Sequence, residues 1–384
     1  MTKTVERRLR LGMVGGGRDA FIGAVHRIAA RMDNEYEFVA GALSSTPDKA
    51  RESGRDLGLS EDRIYDDYTA MAKREARLKD GIDAVAIVTP NHMHYVVARE
   101  FLKRGIHVIC DKPLTATLAE ARKLAQLADR SEALFVLTHN YTGYPMIRQA
   151  REMIANGDLG ALRVVQAEYP QGWLSEPVEE TGMKQAAWRT DPERSGAGGC
   201  IGDIGTHAYN LACFVSGLEA DSLCADLATF VPGRRLDDNA HIMLRFKGGA
   251  KGMIWSSQVA IGCENGLKLR IYGDKGGLEW SQEDPNYLWV MKKDQPKQMF
   301  TRGGAGASEV ANRLTRTPFG HPEGYLEGFA NIYQEAAHLI RAASSGQAVD
   351  PNVHVPGIAD GVKGVEFIDA CVRSSARDAR WIKL

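Results

Sequence analysis

The sequence predicts an α/β protein in two parts: an N-terminal doubly wound parallel sheet, and a C-terminal α+β domain with an open, mostly antiparallel sheet. Two observations support this fold class. Up to about residue 142, short apolar runs alternate with helix-like stretches, as in repeated right-handed βα units. Beyond that point, strand-like runs follow one another with few helices between them, which is typical of antiparallel sheets. We therefore expect domains at residues 1–142 and 143–384.

Five short runs supply the strands of the predicted parallel sheet. They are largely apolar, as strands buried on both faces are. Helix-like stretches such as Ala24–Met32 and Tyr95–Arg104 separate them. The predicted strands are Leu9–Val14, Tyr36–Leu43, Asp83–Val88, His107–Cys110 and Leu134–Thr138.

The second domain is predicted to contain at least six strands and two long helices. The helices begin near His321 and Gly357 and extend to about Ser344 and Arg373. We expect one face of the sheet to pack on helices and the other to be an interface between subunits. The predicted strands are Leu162–Tyr169, Ser222–Phe230, Asn239–Phe246, Lys251–Gln258, Leu267–Tyr272 and Gly277–Trp280.

A glycine run directly follows the first predicted strand. Gly15–Gly17 allow a tight turn in which backbone N–H groups approach a phosphate. The usual third glycine is displaced, because Ala20 stands in its place and Gly23 follows, which implies an insertion in the loop. We expect Arg18 and Phe21 of this loop to lie against a nucleotide cofactor. The alternative is a Gly-rich turn without a ligand.

The end of the second predicted strand bears on the choice of cofactor. An acidic residue there binds the ribose diol of NAD, but this chain has Ser44 and Ser45 instead. Hydroxyls can also bond a diol, and Lys49 and Arg51 can attract the 2′-phosphate of NADP. Both cations can equally belong to a solvated helix face. The residues therefore leave NAD and NADP open.

The next three strands end in polar residues, and such strand ends face the ligand crevice of a doubly wound sheet. Two histidines, His92 and His94, follow the third strand, but no further matched ligand cluster accompanies them, so we expect no metal. They are expected to line the cofactor or to cap the following helix. The strand-end residues expected near the cofactor are Thr89, Pro90, Asn91, His94, Asp111, Lys112 and Asn140.

A Gly-rich segment of the second domain contains Asp203 and His207. The two residues are four apart, so a helix would place them on one face. A carboxylate can orient and stabilise an imidazolium while the imidazole moves a substrate proton. The neighbouring glycines allow a substrate to approach the backbone. The alternative is a helix-capping Asp and a packed His.

Composition excludes several classes of function. The chain has 384 residues and a net charge of −1, which offers no electrostatic case for a nucleic acid or an anionic membrane. No apolar run reaches the length of a membrane span, and the N-terminus lacks an apolar signal core. The six cysteines are scattered without a Cys-x-x-Cys pair. We therefore expect a cytoplasmic protein with reduced thiols.

These motifs together resemble the Gfo/Idh/MocA oxidoreductases over nearly the whole chain. They are the glycine turn, Thr-Pro-Asn-His-x-His from Thr89, Asp-Lys-Pro from Asp111, and Gly-Gly-x-x-x-Asp-x-Gly-x-His ending at His207. The resemblance implies an N-terminal Rossmann domain and subunits packed through the open sheet as a homodimer or homotetramer. The family usually has Glu where this chain has Asp111. The inserted turn and Ser44 are the other departures.

The resemblance also implies an NAD(P) cofactor and roles for individual residues. Lys112 would contact both the nicotinamide and the reacting hydroxyl. Asp203 and His207 would hold the same hydroxyl, with His207 as the proton acceptor. Aromatic residues such as Tyr141 and Trp173 can stack on a sugar face, although aromatic residues also belong to cores. Further pocket candidates are Asn140, Trp188, Arg189, His321 and Tyr325.

The hypothesis that follows is reversible oxidation of a secondary hydroxyl on a small carbohydrate: a sugar, a sugar derivative or a cyclic polyol. One alternative is a glycoside hydrolase with tightly held NAD, in which transient oxidation, elimination and re-reduction use the same Lys, Asp and His. Another is a cofactor-binding regulator without catalysis. The residues do not indicate which sugar, or which of its carbons, is oxidised.

Overall fold

The first sheet is parallel and has five strands. The computed structural model describes residues 7–384, and in it the strand order is β2-β1-β3-β4-β5, with every neighbouring pair parallel. The strands are β1 (Leu9–Gly15), β2 (Tyr36–Ala42), β3 (Ala84–Val88), β4 (His107–Cys110) and β5 (Phe135–Leu137). The connecting helices are α1 (Phe21–Met32), α2 (Pro47–Asp56), α3 (Tyr68–Glu75), α4 (His94–Leu102) and α5 (Leu118–Ala128).

This arrangement confirms the predicted doubly wound sheet. The strands are buried because helices cover both faces, and all five residues of β3 are buried. The direction of winding reverses between β1 and β3, since β2 lies on the other side of β1. A crevice opens at the carboxyl ends of the strands at such a reversal, and the glycine turn after β1 lies there.

The second sheet has nine strands in the order β13-β12-β11-β10-β6-β9-β8-β7-β14. All neighbours are antiparallel except β6 and β9. The strands are β6 (Leu162–Pro170), β7 (Ala220–Ala228), β8 (Asn239–Phe246), β9 (Lys251–Ser257), β10 (Lys268–Gly273), β11 (Gly276–Ser281), β12 (Tyr287–Lys292), β13 (Gln298–Thr301) and β14 (Ile382–Lys383).

The predicted mostly antiparallel sheet is therefore confirmed, and its six predicted strands are present. The strands that the sequence analysis did not predict are β12, β13 and β14. Apolar residues occupy both faces of β12, where Leu288 is buried and Trp289 is 40% exposed, so the alternation of a half-buried strand is absent. The other two strands have only four and two residues.

Helices cover one face of the nine-stranded sheet. Buried residues of α6, α9 and α12, among them Ile147, Leu211 and Phe367, share a core with Ile242 and Leu269 of the sheet. The helices of the second half are α6 (Pro145–Ala155), α7 (Lys184–Arg189), α8 (Pro192–Ser195), α9 (Thr206–Ser216), α10 (Glu309–Asn312), α11 (Tyr325–Ser345) and α12 (Ile358–Ser375).

Helix α11 packs on the first sheet although it lies late in the chain. Phe329 and Tyr333 share a core with Val25 of α1 and Tyr36 of β2. The Tyr36 hydroxyl donates a hydrogen bond to the Tyr333 carbonyl oxygen. The two sheets are therefore joined by a helix as well as by the chain near residue 142. The domain boundary expected between residues 142 and 143 stays a prediction.

The other face of the nine-stranded sheet is exposed and carries large apolar side chains. Met243 and Met253 are 55% and 45% exposed and lie opposite each other on β8 and β9. Val164 of β6 lies close to this pair, whereas Trp289 and Met299 of β12 and β13 are separated from it by Gln166, Arg270 and Glu279. Among residues 7–384, no helix combines the length and the apolarity that a bilayer crossing requires.

Candidate active site

A cavity of about 1140 Å³ lies where the carboxyl ends of the parallel strands face the nine-stranded sheet. Its volume exceeds the roughly 300–1,000 Å³ of pockets for drug-sized ligands. One wall comes from the glycine turn and the strand ends of the first sheet. The other comes from β6, the segment 171–207 and the loop before β10. We call these the nucleotide wall and the polar wall.

The glycine turn has the backbone that a phosphate-binding turn requires. Gly15 and Gly16 have φ of +82° and +73°, which favours glycine over residues with a Cβ. A Cβ on Gly23 would clash with the backbone of Gly16, so α1 packs directly on the turn. This confirms the prediction that Gly23 is the displaced third glycine.

The inserted loop lines the cavity, but its arginine points elsewhere. The Arg18 guanidinium pairs with Glu52 and Asp56 of α2, whereas its backbone N–H donates to Ser53 Oγ at 3.0 Å. Phe21 also lines the cavity and is 67% exposed. The loop therefore offers an apolar ring and backbone groups to a ligand, with its arginine already neutralised.

The end of β2 supplies hydroxyls and one cation. Ser44, Ser45 and Lys49 line the cavity, and Lys49 Nζ lies 2.8 Å from Asp19 Oδ2. Arg51 is not among the lining residues, because it pairs with Asp48 and Asp66. For Arg51, the interpretation as part of a solvated helix face is the one that the structure supports.

The residues after β3 divide between the cavity and the interior. Thr89, Pro90 and Asn91 line the cavity, and Asn91 Nδ2 donates to the Ser195 carbonyl at 2.9 Å. His94, expected at the cofactor, is fully buried instead. Its ring nitrogens bond the carbonyls of Thr89 and Pro113 at 2.9 and 2.7 Å. It therefore ties the end of β3 to the turn after Lys112, a role that the strand-end motif does not reveal.

Lys112 reaches across the cavity to the polar wall. Its Nζ donates to the Asp203 carbonyl at 2.6 Å and to Asp203 Oδ1 at 3.0 Å. Asp111 Oδ1 accepts from the Lys112 backbone N–H at 2.9 Å and from Thr138 Oγ1 at 3.1 Å. Asp111 thus holds the turn that presents the lysine, as expected of an acid at this position.

Asp203 is held by several donors, none of which is the imidazole of His207. Its Oδ2 accepts from Arg189 Nε at 3.2 Å and from Gln258 Nε2 at 2.9 Å. Burial alone would raise the pKa of the Asp203 carboxyl, but Lys112 and Arg189 outweigh burial and lower that pKa below its usual range. The carboxylate is therefore ionised and bridges two cations.

The expected placement of Asp203 and His207 on one side of a helix brings both residues to the cavity, but no hydrogen bond joins them. Residues Ile201–Gly205 form one wide π-helical turn, and α9 begins at Thr206. Buried Asp237 fixes this segment, since its carboxylate accepts the backbone N–H groups of Gly199 and Ile201. The orienting role expected of the Asp203 carboxylate toward the imidazole stays a prediction.

Aromatic rings surround His207 in place of a carboxylate. The ring centroids of Tyr141, His139 and Tyr169 lie 4.9, 5.4 and 6.3 Å from its own. Its Nδ1 is buried without a hydrogen-bond partner. Burial lowers the pKa of His207 well below its ordinary value, and Lys112 and His139 lower that pKa further. The imidazole is therefore neutral at neutral pH.

The polar wall contains a chain of side-chain hydrogen bonds that the sequence analysis missed. The hydroxyls of Tyr141 and Tyr169 are 2.5 Å apart. Asn265 Oδ1 accepts from Tyr169 at 2.7 Å and from Gln171 Nε2 at 2.8 Å. Trp173 Nε1 extends the chain by donating to Gln171 Oε1. The available signal was the end of β6, where Tyr169 and Gln171 flank Pro170.

The remaining predicted residues divide in the same way. Trp188 and Arg189 line the cavity, with the Arg189 guanidinium 4.3 Å from the Trp188 ring centroid. Tyr325 lines it as well. His321, expected at the substrate, is exposed and is not a lining residue. Its carbonyl accepts from buried Arg302, which holds the loop away from the cavity.

Comparisons with known proteins agree with this geometry. A profile described as an oxidoreductase family with an NAD-binding Rossmann fold matches residues 9–139, and the GFO/IDH/MocA C-terminal domain profile matches residues 147–279. The chain belongs to the Gfo/Idh/MocA oxidoreductases. Its N-terminal part is an NAD-binding Rossmann domain.

Several relatives of this Gfo/Idh/MocA protein have solved structures or curated descriptions. An oxidoreductase from Sinorhizobium meliloti is 63% identical, with a TM-score of 0.91 over 98% of this chain and 100% of its own. An inositol dehydrogenase homolog from Azotobacter vinelandii, complexed with NADH and myo-inositol, is 37% identical, with a TM-score of 0.92 over 98% of both chains. Levoglucosan dehydrogenase of Pseudarthrobacter phenanthrenivorans is 26% identical over 98% of both chains.

The side chains of this Gfo/Idh/MocA site fit a bound dinucleotide. Thr89 Oγ1, His92 Nδ1 and Asn140 Nδ2 are buried at the cavity without hydrogen-bond partners. Buried polar atoms are nearly always paired, so unpaired atoms that line a cavity indicate a ligand. The glycine turn adds backbone N–H groups at the amino end of α1, where a pyrophosphate is favoured. Among residues 7–384, no three His, Cys, Asp or Glu side chains form a metal site.

Proposed function

We propose that this protein reversibly oxidises a secondary hydroxyl of a sugar, sugar derivative or cyclic polyol with NAD(P). One observation carries the proposal: Lys112 crosses from the nucleotide wall to Asp203 beside His207 on the polar wall. A proton-transfer group and a cation therefore lie between a dinucleotide site and a wall rich in hydroxyls and amides. The relative with bound NADH and myo-inositol supports this substrate class.

Each of the three residues has a distinct role in the proposal. NAD(P), when bound, accepts or returns a hydride at C4 of its nicotinamide. Neutral His207 takes the hydroxyl proton at Nε2, because its Nδ1 is buried. Lys112 donates to the hydroxyl oxygen and stabilises its developing negative charge. Ionised Asp203 holds Lys112 in place and is itself held by Arg189 and Gln258.

The remaining contacts follow from the two walls. The turn Gly15–Gly17 would bind the pyrophosphate, and Ser44, Ser45 and Lys49 would face the adenosine ribose. Tyr141, Trp173 and Arg189 would face the substrate. Arg18 would contribute its backbone, and the side chains that line the cavity and would complete the nucleotide contacts are Phe21, Thr89, Pro90, Asn91, Asp111, Asn140 and Trp188.

Two measurements test this function. Fluorescence titration with NADH and NADPH should show saturable binding of at least one of them. An absorbance screen of sugars and inositols with the oxidised form should then show nicotinamide reduction. Binding of neither nucleotide would contradict the whole proposal. Cleavage of a glycoside without net reduction would indicate the hydrolase alternative, which no contact within residues 7–384 specifically favours.

The exposed face of the nine-stranded sheet is proposed to pair subunits into a homodimer or homotetramer. Met243 and Met253 form an exposed apolar pair there, with Val164 close by on β6, and exposed apolar groups of this kind mark interaction sites. Light scattering should give a mass of two or four chains. Met243→Glu together with Met253→Glu should yield monomers, and an unchanged mass for this variant would place the interface elsewhere.

A further inference from the structure

Three charged side chains meet at the adenosine end of the cavity. Asp19 Oδ2 lies 2.8 Å from Lys49 Nζ and 3.4 Å from Lys184 Nζ. All three residues line the cavity. They come from the inserted glycine-turn loop, from the first turn of α2, and from the first residue of α7 on the polar wall. A single carboxylate therefore pairs with two lysines that approach from opposite walls.

The position of this cluster matches that of a cofactor 2′-phosphate. In a doubly wound sheet, the residues just after β2 meet the ribose 2′ oxygen. Ser44 and Ser45 stand there, and Lys49 follows in the first turn of α2. The Gly17 N–H donates to the Leu43 carbonyl at 3.1 Å, which brings the glycine turn to the end of β2. Asp19 reaches the ribose region for that reason.

The surrounding charges also oppose a phosphate. Arg18 is paired with Glu52 and Asp56, and Arg51 is paired with Asp48 and Asp66. A phosphate monoester carries a charge of about −1.5 to −2 at neutral pH. It would have to displace the Asp19 carboxylate from Lys49 or lie beside it. A ribose diol, in contrast, can donate to Asp19 and accept from Lys49.

We infer that Asp19 makes this site select NAD over NADP, from the inserted glycine-turn loop instead of from the end of β2. The inference rests on the proposed function and adds the cofactor preference to it. Asp19 acts by occupying Lys49 and Lys184, the two cations that would otherwise bind a 2′-phosphate. Its backbone has a φ of +65°, a conformation that Asp and Asn tolerate better than most residues.

The experiment is a fluorescence titration of the full-length protein with NADH and NADPH. The wild type should bind NADH more tightly. Asp19→Asn keeps the side-chain shape and the left-handed backbone but frees both lysines. It should improve NADPH affinity relative to NADH by about five- to tenfold, the scale of one or two exposed charge pairs. Adding Lys49→Met to this variant should remove most of that gain.

Asp369→Asn is the matched control. It makes the same change of charge in a partly exposed ion pair with Arg373 on α12, and neither residue lines the cavity, so the NADH/NADPH ratio should not change. Asp19→Gly, which also suits a positive φ, repeats the test if the Asn variant folds poorly. The gain in NADPH affinity should decrease as salt is added, because salt screens exposed charges.

The outcomes separate the inference from the proposed function. Equal affinity of the wild type for NADH and NADPH would overturn the inference and leave the oxidoreductase proposal intact. An unchanged ratio in both Asp19 variants, or an equal shift in Asp369→Asn, would also overturn it. Binding of neither nucleotide by the wild type would instead overturn the proposed function.

Discussion

The two walls of the cavity are built in different ways. The nucleotide wall depends on the backbone: Gly15 and Gly16 adopt positive φ, and Gly23 lets α1 pack on the turn. The polar wall depends on side chains, in which Tyr169, Asn265 and their neighbours bond one another in a chain. A backbone turn recognises a pyrophosphate in any sequence that forms it, whereas a side-chain network is specific to this chain.

This difference shows where specificity resides. Exchanging a few side chains on the polar wall would alter the substrate and leave the nucleotide site intact. The two walls meet at Lys112, whose ammonium bonds Asp203. We therefore expect variants of one wall to alter one ligand, and variants of the meeting point to alter catalysis itself.

The largest effect is expected where the walls meet. Lys112→Ala should reduce kcat by roughly 10³-fold, because it removes both the cation at the reacting oxygen and the anchor of Asp203. NADH binding should remain measurable by fluorescence titration. Lys123→Ala, at an exposed position of α5, is the matched control. Full turnover by Lys112→Ala would contradict the assignment.

The next effect concerns the protonation of His207. Because burial lowers its pKa, the imidazole should still accept a proton below pH 6.5, the ordinary histidine value. The kcat/KM of the wild type should therefore stay constant as the pH is lowered past 6.5. In His207→Gln, kcat/KM should be about 10²-fold lower at every pH. A decline of the wild-type profile centred on pH 6.5 would show that His207 is not the neutral base.

A variant of the polar wall should act on the substrate alone. Asn265→Ala removes the acceptor of Tyr169 and Gln171, so KM for the sugar should rise about tenfold, as expected for one or two lost hydrogen bonds. The Kd for NADH should not change. A parallel loss of NADH affinity would show that the two walls are coupled and would contradict their independent roles.

The reverse experiment uses the nucleotide wall. Gly23→Ala places a methyl group against the Gly16 backbone and displaces the turn. The Kd for NADH should rise several-fold, on the scale of about 1 kcal/mol, whereas KM for the sugar, measured at saturating nucleotide, should change little. Gly357→Ala provides a control for the glycine change itself, since the backbone there is extended and a Cβ would make only an ordinary contact with the Phe135 carbonyl. Unaltered NADH affinity in Gly23→Ala would contradict the role of the turn.

The effect most remote from catalysis is on stability against acid. Burial lowers the pKa of His26 to about 4 and that of His139 to about 3. Below pH 6.5 the unfolded chain binds these protons and the folded chain does not. The free energy of unfolding should therefore decrease as the pH is lowered. The decrease should be roughly 1.4 kcal/mol per histidine and pH unit between pH 6.5 and the pKa of the histidine in the folded protein.

Denaturant unfolding at several pH values measures this slope. His26→Phe should reduce the slope by one proton, whereas Gln347→Ala, which removes an exposed side chain that does not titrate, should leave it unchanged. An identical slope in His26→Phe would show that His26 is charged in the folded protein or still buried in the unfolded one.

The sequence predicted the nucleotide wall well because its signals are local. A glycine turn after a strand and polar residues at strand ends lie close together in the chain, and the parallel sheet brings them to one edge. The prediction failed where the direction of a single side chain decides whether it reaches the cavity. His94 follows Thr89 by five positions but points into the interior between two carbonyls.

The polar wall was harder to predict because its residues meet through tertiary structure. Tyr169, Gln171 and Asn265 become neighbours through the pairing of β6 with β10, and no short motif contains them. The π-helical turn at Ile201–Gly205 likewise depends on the distant Asp237. Asp203 and His207 were identified as site residues, but the interaction between them was not the one that their spacing suggested.

Hydride transfer from a carbinol carbon is the central claim, and a single-turnover measurement tests it most directly. Enzyme with saturating oxidised nucleotide is mixed with myo-inositol, the ligand of the Azotobacter vinelandii relative, and with other polyols, each with hydrogen or deuterium on its carbinol carbons. We expect at least one polyol to reduce the nicotinamide, more slowly when deuterated, and not with Lys112→Ala. Saturable nucleotide binding without reduction by any polyol or sugar would contradict the account.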